Sequence, residues 1–326
     1  MKKVLIYHTN PPEESSVSAE EIYRQAEFVA QGLRDGGYNA KMLPFISHGK
    51  KDKETLERIQ EEIFGFDVVF NLVESVAGTD RLAYLAPQIF QQLGIPYTGC
   101  PYSALKKVQT KIGAKLLMHD AEIPTPDFAM SGLLHAMDIS GRDFLIKHRQ
   151  DNASKGLKAK TYKTKEEIET ALKEAGENDF FAEEFIDGRE FNVSMIGPSG
   201  NCKVLPIPEM TFVNWPKDMP KIVSEDAKFN PNSEEYQRTV RDFDLSDSDK
   251  QILTRLEKIS RRCWRVFDLK GYARVDFRVD KTGNPYVLEI NPNPGISEDS
   301  GFVAATKKAE MTWKKTLERI VNYSFE

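Results

Sequence analysis

Apolar and polar positions alternate strictly along Tyr272–Asp280. Arg274, Asp276 and Arg278 fall on one face, and Ala273, Val275, Phe277 and Val279 on the other. A period of two marks a strand with one buried side. Lys281–Asn284 contains Gly283 and reads as a four-residue hairpin loop. Pro285–Asn291 then returns, with Glu289 and Asn291 on one face and Leu288 and Ile290 on the other. Pairing Asp280 with Pro285 sets Asp276 opposite Glu289 and Arg274 opposite Asn291.

The same reading predicts three units. Residues 1–98 read as α/β: a strand at Lys3–Tyr7, an amphipathic helix at Ser18–Gly36, a continuous apolar strand at Asp67–Val73, and a helix at Tyr84–Leu93. Ser18 with Glu21 three residues on is a capping signal, and Gly36-Gly37 is a stop. An unbroken apolar strand suits a parallel sheet covered on both faces. No GxGxxG follows the first strand, so the common dinucleotide fold is not supported. Residues 99–187 give a helix over Ser103–His119 ended by Pro124 and Pro126, a strand at Asp143–Lys147, a charged helix at Lys163–Gly176, and a strand at Asp179–Ile186. Residues 188–326 give a long polar connection, Trp215–Asp249, a helix over Asp249–Phe267, the hairpin, and a final helix near Ala304–Tyr323.

The hairpin carries the first chemical signal. Two carboxylates directly opposite each other repel. A divalent cation removes that penalty, and two carboxylates with an amide oxygen are hard ligands suited to Mg²⁺. A solvated polar face would show the same alternation. The Asn291-Pro292-Asn293-Pro294-Gly295 exit favours the metal reading, because two prolines and a glycine fix the chain direction just beyond Asn291. Mg²⁺ usually bridges to phosphates, so the hairpin suggests a nucleotide site.

Composition narrows the alternatives. The chain has 326 residues, a net charge of −5, 40% apolar residues and 29% charged ones, ordinary values for a globular protein. The short basic stretch Lys50–Lys53 is interrupted by Asp52 and reads as a solvated loop, so duplex nucleic acid is not an expected partner. No apolar run approaches the ~20 residues of a membrane span. Cys100, Cys202 and Cys263 are scattered, and the histidines lack ligand spacing. A reducing cytoplasm fits, and a zinc site or disulfide framework does not.

Further motifs carry a family resemblance: Lys111 within VQTKIGAKLL, Lys147 ending FLIK, FAEEF at Phe181–Phe185 followed by DGREF, and the Asp276, Glu289 and Asn291 set. In their order and spacing the chain resembles the ATP-grasp superfamily, and within it the D-alanine–D-alanine ligases. The resemblance spans nearly the whole chain and is strongest in Gly94–Thr125, Phe181–Val193 and Gly271–Gly295. It implies an N-terminal parallel α/β domain followed by two ATP-grasp subdomains that hold ATP between two small sheets. A carboxylate is activated as an acyl phosphate, which an amine then attacks. Lys111 and Lys147 would place point charges on the phosphates. Adenine would bond to Glu183 and to backbone near Phe185 and Ile186, beside Glu184, and Glu190 would accept from the ribose. Asp276, Glu289 and Asn291 would hold Mg²⁺, with two ions expected and Mn²⁺ able to substitute. Arg274 would stabilise the tetrahedral oxyanion. Gly295 and Ser300 would receive the second substrate's carboxylate. Glu14 would bind the first substrate's ammonium, and Lys221 would close over the γ-phosphate. Amino-acid or peptide substrates and a homodimer through the N-terminal unit are also implied.

The sequence departs from that pattern at the substrate end. Positions that link to Glu14 in the family, a serine and a tyrosine, are here Ala153 and Ile222, which cannot make the hydrogen bonds. A family histidine is replaced by Glu74 in FNLVES. The phosphate-covering loop is Gln150–Gly156, poorer in glycine and serine than usual. The nucleotide chemistry is therefore expected to persist with altered substrates. A small-molecule phosphotransferase and a non-catalytic ATP-binding protein remain the other classes.

Overall fold

The computed structural model describes residues 1–11, 16–150, 160–216, 219–223 and 233–326. Its first sheet is parallel, in the order β2-β1-β3, with β1 at Lys3–Thr9, β2 at Asn39–Phe45 and β3 at Val68–Leu72. Every residue of β3 is buried, including its one polar residue, Asn71, whose Oδ1 accepts from Val73 N at 3.2 Å. Helix α1, Ser16–Asp35, begins two residues before the expected Ser18. It stops at the glycine pair: Gly37 takes φ +82°, and the Tyr38 N–H donates to the Leu33 carbonyl at 3.0 Å. Strand β2 and helix α2, Lys53–Ile63, were not anticipated. Lys53 opens that helix instead of lying in a loop, because the Asp52 side chain caps it by accepting from Thr55 N at 2.9 Å. Helix α3 follows at Leu85–Gln92.

Two predicted helices are each divided in two. Ser103–His119 becomes α4, Tyr102–Val108, and α5, Lys111–Asp120. The break is chemical: the Thr110 hydroxyl accepts from Gly113 N at 3.0 Å and starts a new helix. Ala304–Tyr323 becomes Gly301–Lys308 and Trp313–Tyr323. Glu310 there takes φ +57°, and Thr312 caps the second helix through Lys315 N.

A small antiparallel sheet, β4-β6-β5, consists of Phe128–Ala129, Phe180–Glu184 and Phe144–His148. Helix α6, Lys165–Ala175, covers one face, packing Ile168 and Leu172 near Phe144 and Ala182. The large antiparallel sheet runs β10-β9-β7-β11-β12, and β8 also pairs with β7. Its strands are β7 (Gly188–Gly197), β8 (Lys203–Val204), β9 (Glu209–Phe212), β10 (Thr239–Asp242), β11 (Gly271–Asp280) and β12 (Pro285–Pro292). β10 and the short helix Glu234–Arg238 occupy part of the predicted polar connection.

The hairpin register matches the expected one where it matters and differs where it turns. Asp276 faces Glu289 and Arg274 faces Asn291. Val279, however, pairs with Pro285 where Asp280 was expected. A bulge absorbs the difference at Leu288, between the Phe277–Val287 and Asp276–Glu289 pairs. Leu288 consequently leaves the core face, whereas Val287 and Ile290 stay in it.

Ala273, Val275, Phe277 and Val279 are fully buried against the helix Lys250–Val266, helices α4 and α5, and the underside of β7. The last helix turns back onto the first sheet. Trp313 stacks on Phe28 of α1 at 4.8 Å, and its Nε1–H donates to the Phe28 carbonyl. One core cluster thus joins Val4, Ile6 and Leu33 with Tyr272, Phe302 and Leu317.

Gly271 opens β11 with φ +75°, and a Cβ there would lie 2.8 Å from Gly99 Cα. Gly283 has a similar φ of +86° but open space around it. In urea denaturation Gly283→Ala should cost about 1 kcal/mol from backbone strain alone, and Gly271→Ala clearly more, ~3 kcal/mol or above, because backbone must also move. Equal costs at the two positions would show that the Gly99 approach is relaxed without penalty.

Candidate active site

The free face of β11–β12 and the end of β5–β6 enclose a cleft. Lys111, Lys147, Glu183, Glu184, Phe185 and Ile186 line it from the central segment, and Glu190 from β7 of the large sheet. Asp276 and Glu289 line it from the hairpin, together with Arg278 and the bulged Leu288. Nine predicted residues therefore meet in one place, from elements far apart in sequence. Strand alternation aims Lys147 and Glu183 into the cleft from cross-strand neighbours, and Lys111 opens α5 at its mouth, its Nζ 4.0 Å from Glu289 Oε1.

Glu183 lies at the bottom of the cleft, 1% exposed, with a lysine on each oxygen. Lys147 holds Oε1. Lys115, also 1% exposed, holds Oε2 at 2.8 Å and donates to Thr125 Oγ1 and the Pro126 carbonyl. Burial works to raise the Glu183 carboxyl, but the two lysines outweigh it and hold it below the usual range. Burial holds Lys115 below its usual value, with Glu183 opposing. The Glu183 carboxylate is thus taken up by the protein rather than presented to a base. The Phe185 N–H is taken up as well, by the Asp143 carbonyl at 2.8 Å. Glu184 accepts from Arg142 at 3.3 Å.

Asp276 receives four donors. Arg274 binds it in bidentate fashion, Nε to Oδ1 at 2.7 Å and Nη2 to Oδ2 at 2.8 Å. Asn192, its cross-strand neighbour on β7, adds 2.9 Å to Oδ1, and Asn291 adds 3.0 Å to Oδ2. Burial disfavours the Arg274 charge, yet Asp276 beside it raises the guanidinium above its usual value. Arg278, 3% exposed, pairs with Glu190 at 3.8 Å and donates to the carbonyls of Gly188 and Lys221. Its guanidinium lies 5.4 Å from the Phe185 ring centre.

The residues expected at the substrate end come from the first sheet and the chain beyond the hairpin. Gln25 of α1 bridges the two: its Nε2 donates to Glu74 at 2.8 Å, and its Oε1 accepts from Ile296 N at 2.7 Å. Thr9, closing β1, orients Glu74 by accepting from its backbone N–H at 2.8 Å. Gly295 is exposed beside Gln25, and Ser300 caps the helix Gly301–Lys308 through Val303 N at 3.3 Å.

Three expectations fare differently. Among the described residues Lys221 meets the site through its carbonyl; its side chain is exposed, and buried Ile222 and half-buried Val223 line the cleft instead. Glu14 and Ala153, with the phosphate-loop stretch 151–156, lie outside the described residues. Lys115, Gln25, Asn192 and Arg278 were not singled out from sequence. Lys115 alone had a readable signal, standing one helical turn after Lys111 on an otherwise apolar face.

Removing Lys115 leaves a buried carboxylate with one partner. Lys115→Met should destabilise the fold by about 3 kcal/mol in urea denaturation, the usual cost of breaking a buried pair from one side. It should also weaken ATP binding, because Lys147 loses its anchored partner. Unchanged stability and unchanged ATP affinity would show that Lys147 alone satisfies Glu183.

Residues 141–322 match the family model described as D-ala D-ala ligase C-terminus. A D-alanine–D-alanine ligase of Haemophilus ducreyi is 24% identical in an alignment of 331 positions that covers 99% of this chain and 98% of that protein. An uncharacterised protein of Sinorhizobium fredii is 29% identical over 258 residues, 78% of this chain and 74% of its own. The crystal structure of D-alanine–D-alanine ligase from Bacillus anthracis complexed with ATP shares the fold, with a TM-score of 0.71 at 20% identity, covering 100% of this chain and 98% of that one. The matched segment makes up more than half of the chain and carries both walls of the cleft, so the chain belongs to the D-ala D-ala ligase C-terminal family and is an ATP-grasp, D-alanine–D-alanine ligase-like protein.

Proposed function

We propose that this ATP-dependent ligase joins two amino-bearing substrates, activating the carboxylate of one as an acyl phosphate for attack by the amine of the other, with Mg²⁺ as the metal. The observation that carries the reading is the common cleft: two lysines, a ribose-directed carboxylate and two opposed carboxylates line the same space. On this reading the nucleotide base lies among Leu145, Phe185, Ile186 and Leu288, an apolar slot with few polar groups. Glu190 accepts from the ribose. Lys111 and Lys147 meet the phosphates, with Lys147 oriented by Glu183.

Asp276, Glu289 and Asn291 fit a hard divalent cation. Their carboxylates face each other in register, and Asn291 adds an amide oxygen. Asp276, Glu289 and Asn291 would hold the Mg²⁺, which when bound would supply positive charge against the charge that builds up during phosphoryl transfer. Arg274, once released from Asp276, is placed beside the reacting carbon and stabilises the oxyanion that the amine creates. We further propose unit boundaries near residues 98 and 187, with the nucleotide between the second and third units.

The named relatives are D-alanine–D-alanine ligases. Glu74 and Ile222 at the substrate end support a different pair, since neither offers the hydrogen bonding of the family residues it replaces. D-alanine-dependent ADP release at full rate, with D-alanyl-D-alanine as product, would remove that part of the reading.

The decisive assay is Mg²⁺-dependent ADP and phosphate release with paired D- and L-amino acids, with products weighed by mass spectrometry. A product equal to the two substrates less one water is expected. ADP without free phosphate, and a phosphorylated substrate, would make the protein a phosphotransferase instead. Glu289→Gln should lower turnover by roughly 10–100-fold or more, with the loss relieved in part by excess Mg²⁺. Turnover near the unsubstituted level would refute its part in metal binding.

A further inference from the structure

None of the roles proposed for the cleft uses Arg278, yet it stands where the base and ribose are placed. It lies directly opposite Glu190 across the β11–β7 pairing, and it lines the slot with Phe185, Ile186 and Leu288. Its exposure is 3%. A guanidinium buried beside apolar side chains is costly, and an aliphatic residue would fill the same space without that cost.

Its donors go to backbone. Nη1 donates to the Gly188 carbonyl at 3.1 Å, and Nη2 donates to the Lys221 carbonyl. The Glu190 carboxylate lies 3.8 Å from Nη1, beyond hydrogen-bond reach. A plain counter-ion would grip its carboxylate as Arg274 grips Asp276, at 2.7–2.8 Å through two bonds. Arg278 instead steadies the Glu190 charge without donating to it. Burial holds the Arg278 guanidinium below its usual value, and Glu190 and Asp187 oppose that. Two rings flank it, with centres 5.4 Å away for Phe185 and 6.0 Å away for Phe212 on β9. One side chain thus joins the start of β7, the ring wall of the slot, and the segment whose Ile222 and Val223 line the cleft.

We propose that Arg278 is a positioning residue for the sugar of the nucleotide. It keeps Glu190 ionised and in place for the ribose hydroxyls, and it ties the Lys221 backbone to the same point. Preference for a ribose over a sugar without hydroxyls is then set in part by a residue that does not bond to the hydroxyls. A fork is needed because two carbonyls and a carboxylate must be served from one planar group, which a lysine ammonium cannot do. The inference rests on the reading that places the ribose at Glu190.

Calorimetric titration of the full chain in Mg²⁺ tests it without turnover, using ATP, 2′,3′-dideoxy-ATP and tripolyphosphate. The unsubstituted protein should prefer ATP to the dideoxy nucleotide by roughly tenfold or more. Arg278→Met should cut that preference to about twofold or less while tripolyphosphate, which meets only the lysine and metal end, binds nearly as before. Arg278→Lys should fall between, and it protects the test against a methionine variant that folds poorly. Glu190→Gln should also lose the preference, and the double variant should lose no more than either alone, since both act on the same hydroxyls. Trypsin should cleave after the exposed Lys221 roughly tenfold faster in Arg278→Met with ATP bound, because the backbone tie is gone. A preference kept at its original size in both Arg278 variants, losses that add in the double variant, or unchanged cleavage at Lys221 would each overturn the role. Equal weakening of all three ligands would assign Arg278 to the fold alone and overturn it as well. If the unsubstituted protein shows no preference for ATP, the ribose is not at Glu190 and the underlying reading fails. If the preference exists but survives Arg278→Met, only this inference fails.

Discussion

A strand can bury only one face against a given layer, and in β11 that constraint organises the whole site. Four apolar residues are driven into the core beneath the sheet, so Arg274, Asp276 and Arg278 must project together on the opposite side. Three charges in a row on one strand are tolerable only if each finds a counter-charge or donor. Asp276 finds Arg274 and two asparagine amides, and Arg278 finds Glu190 from the adjacent strand. The neighbouring strands β7 and β12 are therefore under chemical as well as steric restriction. The bulge at Leu288 reconciles those demands, keeping Glu289 opposite Asp276 while the turn takes its own geometry.

The second organising group is Glu183, sealed between two lysines. A carboxylate so deeply placed would be costly alone, and the paired lysines convert it into a rigid strut between α5 and the small sheet. Lys147 then reaches the cleft with its direction already set.

The sequence was most informative where periodicity and chemistry coincide. The hairpin, its loop and the facing carboxylates followed from a period of two, and the parallel strand β3 from an apolar run interrupted once, at Asn71. It was least informative where a single side chain redirects the backbone. Thr110 and Thr312 each end one helix and begin another, yet a threonine inside an amphipathic pattern looks like any polar position. β2, with a lysine and a proline in seven residues, hides its pairing because an edge strand needs few apolar positions. In the site, residues that face ligand along a strand were visible, whereas those acting through another side chain were not. Gln25 and Asn192 owe their roles to partners 49 or more positions away, and no local pattern encodes such a pairing.

The Trp313–Phe28 contact joins residues 285 positions apart. During synthesis α1 emerges long before the helix Trp313–Tyr323 that packs on Phe28 and Leu33. The first sheet must therefore wait, its apolar flank exposed, until that helix leaves the ribosome. Late closure of this kind delays cooperative folding and leaves the nascent chain open to association or to holding by chaperones. A chain cut short before Trp313 would lose more than one helix: the first sheet would be left with part of its core uncovered.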